Sequence, residues 1–222
     1  MRTIMLKSAV IAAALLAWGG LALAQVQGNP VPELKPGQLG LGLGLEQFNR
    51  ELRVEDGGSD DLDFRRMTFQ VNYGAGEGAM MQGFVTLVRA EPDKGDSYDG
   101  QEFGVGYRQN VDVKIPVGED GIQTAVLGAV RYGDLGDGDT FNYIQLDLSY
   151  GGAFAATKQF DIYGGLLFSE IWGEIGSKSV NSEHNLGLFA GVEFTMAQSL
   201  LISAELHALH ELGFGVLIQY NF

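Results

Sequence analysis

The chain has 222 residues, no cysteine, 33 glycines and a formal net charge of −14. The absence of thiols excludes a disulfide scaffold and a thiolate metal site, and the acidic balance excludes nucleic acid as a natural partner. Mean hydropathy is +0.05, and after residue 24 no apolar run is long enough to cross a bilayer as a helix, which excludes a helical membrane protein.

Met1 to Lys7 is a short basic segment with Arg2 and Lys7. Ser8 to Leu23 is apolar, and Ala22-Leu23-Ala24 is a small-x-small cleavage site before Gln25. That order is expected of a secretory signal peptide, residues 1–24, removed on export. The mature chain then carries −16, having lost Arg2 and Lys7, and is about one domain in size. Residues 25–37 hold Pro30, Pro32 and Pro36 without periodicity and are expected to be a periplasmic leader.

From residue 38 the period is two. Leu39, Leu41, Leu43 and Leu45 alternate with Gly40, Gly42, Gly44 and Glu46, which predicts a first strand whose register is hard to follow after Glu46. An acidic connection, 55–61, follows. The second strand, about 63–74, sets Met67, Phe69, Val71 and Tyr73 against Arg66, Thr68, Gln70 and Asn72. The third runs over about 79–90 and leads to an acidic stretch, 91–100. In the fourth, Phe103, Val105, Tyr107, Gln109, Val111, Val113 and Ile115 alternate with Glu102, Gly104, Gly106, Arg108, Asn110, Asp112 and Lys114. A tight turn, 118–121, precedes the fifth strand, about 122–132, which carries Arg131, and a third acidic connection, 133–139, follows it. The sixth strand presents Ile144, Leu146, Leu148 and Tyr150 on one face and Tyr143, Gln145, Asp147 and Ser149 on the other. A seventh strand, about 160–173, is apolar on both faces, and 173–183 reads as a loop. Strands at about 184–196, 200–208 and 211–222 complete the series, and Tyr220 and Phe222 end it on its apolar face.

Ten strands are an even number, as a closed wall with both termini on one side requires; eight is the alternative if the first or seventh segment is misread. The polar faces gather charges of both signs: Arg66, Arg108, Lys114 and Arg131 with Glu102, Asp112, Asp147, Glu193 and Glu205. Such a face suits a lumen in which charges pair, not the apolar core of a sandwich or the apolar interior of a soluble ligand-binding barrel. Aromatics near strand ends, Tyr73, Tyr132, Tyr150, Trp172 and Tyr220 among them, fit interfacial girdles. The expected fold for 38–222 is therefore all-β: a closed, antiparallel, up-and-down transmembrane β-barrel of ten strands.

These features resemble the small outer-membrane barrels of Gram-negative bacteria, the OmpA-like, OmpX-like and YfaZ-like "porin family" groups. The terminal Tyr220-Asn221-Phe222 matches the assembly signal of such proteins. The resemblance implies an outer-membrane location, lipid and lipopolysaccharide as surroundings, the barrel-assembly machinery as a partner of the last strand, and a monomer. It leaves function open among structural barrels, pores and lipid enzymes.

For catalysis, Ser203, Glu205 and His207 share one strand face, successive members about 6.6 Å apart, which predicts no direct Glu–His hydrogen bond within the strand. The His-x-Ser pairing of lipid A deacylases is missing, since Asn185 and Leu186 follow His184. The three residues are expected to pack in a lumenal network, with Glu193 as a neighbour. His184 and His210 near the outer rim, and Asp134, Asp137 and Asp139 in a connection, lack the full pattern of a metal site, so no cofactor, metal or enzyme activity is expected. Lumenal Leu127, Phe189 and Leu217 point to a mostly filled barrel contributing to envelope integrity or surface interaction. The alternatives are a narrow cation-preferring pore and a lipid A-modifying enzyme.

Overall fold

The computed structural model describes residues 28–32, 34–55, 58–93, 95–115, 121–136, 140–197, 199–209 and 211–222, without the side chains of 112 and 114. The expected signal peptide, residues 25–27, His210, Asp137 and Asp139 lie outside this set. The strands in chain order are β1 (Leu39–Val54), β2 (Ser59–Gly76), β3 (Ala79–Pro92), β4 (Tyr98–Ile115), β5 (Ile122–Leu135), β6 (Phe141–Thr157), β7 (Phe160–Ile175), β8 (Lys178–Ser182), β9 (Leu186–Ala197), β10 (Leu200–Ala208) and β11 (Leu212–Asn221). All but the short β8 form a closed ten-stranded antiparallel wall. Closure is made by β1 and β11, paired from Gly40–Asn221 to Asn49–Leu212, and Phe222 N–H donates to Leu39 O at 2.8 Å. Following paired residues from Leu45 leads to Glu174 on β7 one way around and to Ile162 the other. A closed sheet of tilted strands requires that stagger.

The wall has two zones of opposite polarity, and β2 carries both. Toward the end that bears Phe222, it points Arg66, Thr68, Gln70 and Asn72 inward, while Met67, Phe69, Val71 and Tyr73 face out. Toward the loop end the same faces carry Leu62 and Phe64 inside and Asp61, Asp63 and Arg65 outside. β1 inverts likewise, with Leu41 and Leu43 outside and Glu46 inside, then Gln47, Asn49 and Glu51 outside and Phe48 and Leu52 inside. Exposed apolar side chains recur around the wall, including Leu43, Phe69, Val85, Val105, Val130, Leu148, Leu166, Val192 and Tyr220. A closed wall satisfies its own backbone groups, and an apolar outside with a polar inside can be stable only in lipid. This zone is the transmembrane part of an outer-membrane barrel. The inverted zone is a water-side extension with an apolar core.

Two expectations need correction here. The segment 173–183 is not a loop: Gly176 (φ 60°) and Ser177 turn the chain into β8, with Ile175 opposite Lys178. The acidic connections are also shorter than the charge runs suggested, because Ser59–Asp61 belong to β2, Tyr98–Gly100 to β4 and Asp134–Leu135 to β5. Alternating charge and bulk satisfies a sheet whose outer face meets water, so acidity did not mark loops there.

β8 changes the strand number. β7 leaves β9 after Phe168–Leu186 and takes β8 from Trp172–Asn181 onward. β1 leaves β11 after Asn49 and takes β8 from Leu52–Ser182. The loop end is thus a ring of eight, β1 to β8, above a ring of ten. The switch is stitched by Ser169 N–H to Asn185 O (2.8 Å), Ile171 N–H to Ser182 Oγ (2.9 Å) and Glu183 N–H to Glu51 O (3.1 Å).

Candidate functional site

Among the described residues, the buried polar and charged side chains gather in the lumen, which is filled in three layers. At the loop end, the eight-stranded ring encloses Phe48, Leu52, Leu62, Phe64, Val88, Ala90, Leu135, Phe141, Tyr143, Ile171 and Val180, all buried. Phe48 stacks on Phe64 with centroids 4.9 Å apart, and Phe141 lies 4.7 Å from Tyr143. An interior of eight strands is just wide enough for such side chains.

Beneath it lies a charged layer. Arg66, from β2, pairs with Glu102 of β4, donates to Gln145 Oε1 at 2.9 Å, and sets its guanidinium 4.7 Å from the Phe48 ring centroid. Tyr143 OH donates to the same carboxylate. Arg131 stands 3.6 Å from Asp147 and 3.9 Å from Glu102, its guanidinium over Phe84. Gln145 and Ser169 both donate to Asp147 Oδ1, at 2.9 and 2.6 Å. Arg50 donates to Ser169 Oγ and O at 3.0 and 2.7 Å and lies 3.9 Å from Glu211. His207 then links Glu211 (Nδ1, 3.0 Å) to Glu205 (Nε2, 2.5 Å). Both ring nitrogens face carboxylate oxygens, so satisfying both contacts takes an imidazolium or a protonated carboxyl.

The third layer, at the terminal end, is made with the leader. Gly28 N–H donates to Glu205 Oε2 at 3.1 Å, Asn29 Nδ2 donates to Glu193 Oε1 at 3.0 Å, and Arg108 donates to the Asn29 carbonyl. Val31 packs against Ala153, Tyr163, Leu167 and Phe189. A chain of amides lines the opposite wall: Arg108 to Gln82 (3.0 Å), Gln82 to Asn72 (3.1 Å) and Asn72 to Gln219 (2.7 Å).

Of the residues singled out from sequence, Arg66, Glu102, Arg108, Arg131, Asp147, Glu193 and Glu205 are all buried and inward. Arg66, Glu102, Arg131 and Asp147 meet directly in the charged layer, Arg108 and Glu193 meet the leader, and Glu205 does both, joining the charged layer through His207, Glu211 and Arg50 and accepting from Gly28. Asp112 and Lys114 lie on β4, with side chains outside the described set. Tyr220 and Phe222 face outward at the closing seam, their rings 4.9 Å apart. The expected separation of Glu205 and His207 is overturned by their 2.5 Å contact. Two long side chains leaning toward each other span the distance between strand positions i and i+2. Ser203 donates to Glu193 Oε2 at 2.8 Å. With its hydroxyl on Glu193 and the imidazole between two carboxylates, serine and histidine are not arranged as nucleophile and base. His184, exposed, lies 3.8 Å from Glu51.

Arg50, Glu211, Ser169 and Tyr143 were not picked out as members of the site. Arg50 was within reach: the inward positions 40, 42, 44 and 46 continue unbroken to Phe48, Arg50 and Leu52. Among charged groups outside the membrane, Arg53 binds both oxygens of Glu183, at 2.8 and 2.6 Å. That hydrogen bond holds the Glu183 carboxyl below the usual carboxylate range.

No protein-family model matches the chain, and no curated protein matches it. Among solved structures, it is similar to an outer-membrane channel from Pseudomonas putida F1, with 9% identity, 89% of this chain and 99% of that one covered, and a TM-score of 0.49. It is similar also to the translocator domain of the autotransporter NalP from Neisseria meningitidis, with 9% identity, 86% and 90% covered, and a TM-score of 0.47.

Proposed function

We propose that the protein is a non-conducting, monomeric outer-membrane barrel that contributes to envelope integrity and surface interaction. One observation carries this reading: apolar side chains, paired charges and the leader fill successive levels of the lumen. A pore needs a wet path lined by groups that ions can reach and leave, and here Arg66 and Arg131 stand beside buried carboxylates and Arg108 donates to the leader's Asn29 carbonyl, although Nε and Nη1 of both Arg66 and Arg131 make no hydrogen bond. The arrangement of Ser203 and His207 likewise gives a lipid A-modifying activity no support.

The water-side extension supports the surface role, because its outer face is densely charged and its core holds that face rigid. Its acidic residues stand just above the apolar belt, where divalent ions bridge lipopolysaccharide phosphates: Asp61 and Asp63, and Glu91 and Asp99, which Arg65 and Arg89 pair. The β1–β11 seam supports recognition of the last strand by the barrel-assembly machinery. Cells lacking the protein should admit bulky apolar antibiotics and detergents more readily, and complementation should restore the barrier. Unchanged susceptibility would count against the integrity role.

A further inference from the structure

The leader is held in the lumen without belonging to the wall. Described residues 28–32 are in no strand, so they can leave without breaking a ladder. What they meet is a set of groups suited to a short, bent peptide. A carboxylate takes a backbone N–H, an arginine takes a backbone carbonyl, a second carboxylate takes a carboxamide, and an apolar seat takes Val31.

The leader's sequence suits the seat. Pro30 and Pro32 lack N–H groups and fix their own φ, so they bring no unsatisfied donor into the lumen and have little freedom to lose. Asn29 Oδ1 accepts from Val31 N–H at 3.1 Å, which closes a local turn. Gly28 takes φ 72°, which favours glycine. Below Pro30 the wall is cut back: a Cβ on Gly151 would stand 3.2 Å from Pro30 Cγ and 2.7 Å from Phe189 Cζ. On one side of the leader a cavity of about 20 Å³ remains among Gly28, Asn29, Arg108, Glu193 and Leu217, enough for about one water, and on the other a space of about 210 Å³ remains between Asn29, Val31 and Pro32 and the wall at Gln123, Ala153 and Asp161. At the rim the leader is tied by Gly37 N–H to Gly74 O and Gly74 N–H to Gln38 O, at 2.8 and 2.9 Å.

We infer that the terminal-end half of the lumen is a peptide-binding cup and that the chain's own Gly28–Val31 is its resident, displaceable ligand. The inference rests on the filled-lumen reading and makes the cup blind, since the charged layer and the aromatic core close it above. The recognised chemistry is a short, bent, proline-flanked segment with an asparagine side chain.

The chain has no cysteine, so Ser203→Cys, at the cup's buried wall, gives a clean probe for a small water-soluble thiosulfonate reagent. Folding of each variant is first confirmed by heat-modifiable gel mobility. In the full chain, labelling should be slow. Asn29→Leu, and separately deletion of residues 28–34, should speed it by about tenfold or more, because local opening then costs less. A synthetic peptide of residues 28–36, added to the deletion variant, should restore protection. Thr86, fully buried on β3, stands opposite Glu102 of the charged layer and 3.0 Å from the Thr68 hydroxyl, and Thr86→Cys should stay unlabelled in every background. The inference is overturned if the deletion variant labels no faster than the full chain, or if the peptide gives no protection. Should Asn29→Leu fail to fold, the deletion and peptide arms decide. Conductance of the intact barrel would sink the filled-lumen reading instead, a result these labelling rates do not depend on.

Discussion

At the scale of residues, Glu102 shows what the lumen requires. Its carboxylate lies beside Arg66, Tyr143 and Arg131, away from bulk water. Buried charges of this kind contribute little net stability when paired but cost heavily when one partner is lost. Arg66→Met should therefore destabilise the folded barrel by about 3–5 kcal/mol, and Arg66→Met with Glu102→Gln by less than that single change. Equilibrium unfolding in urea, read by gel mobility, checks both beside Glu102→Gln alone; a double-variant loss equal to the sum of the two single losses would mean the pair is not coupled. The sequence made Arg66, Glu102, Arg131 and Asp147 legible, because each interrupts an apolar alternation with a charge on the inward face. It did not reveal Arg50 or Glu211. Arg50 sits between Phe48 and Leu52 on an inward face that has already turned apolar, so the usual contrast between faces vanishes around it.

That reversal of contrast belongs to the scale of the element. Along β2 the alternation never slips, yet its polarity inverts between Arg65 and Met67 as the strand passes from water into lipid. An arginine on the lipid face should cost about 2–4 kcal/mol near the bilayer midplane and about 1 or less outside it. Phe69→Arg is thus expected to impair folding into lipid, whereas Asp63→Arg, on the same face, is expected to be tolerated. Comparable loss for both, in folding yield into liposomes, would place the boundary elsewhere. Strand faces and strand number were readable, while strand ends were not, because charges on the water-side extension look like loop composition. The strand β8 was hidden for a related reason, although its two-residue Gly176–Ser177 connection is a hairpin signal.

Beside β8, the contact between Arg53 and Glu183 gives a pH test. The folded-state carboxyl is held below its unfolded value, so the tie is fully present above that unfolded value, about pH 4.3, and is lost as pH falls through the lower folded one. Protection of β8 amides relative to their intrinsic exchange should fall over that acid range, and Glu183→Gln should remove the step. Protection that stays flat across it would show that the pair does not hold β8.

At the scale of the whole molecule, the narrowing from ten strands to eight is what permits a dry, aromatic core at the loop end above a charged lumen. The sequence carried the closed wall through its alternation and closing strand, but not the narrowing, which depends on where β9, β10 and β11 stop relative to their neighbours. Nor did composition place the leader inside, since its prolines fit an external linker equally well. Planar-bilayer recording of the folded, purified protein tests the central claim most directly. The filled lumen predicts a steady baseline at voltages that leave the membrane intact, and resolved unitary current steps from the folded barrel would contradict it.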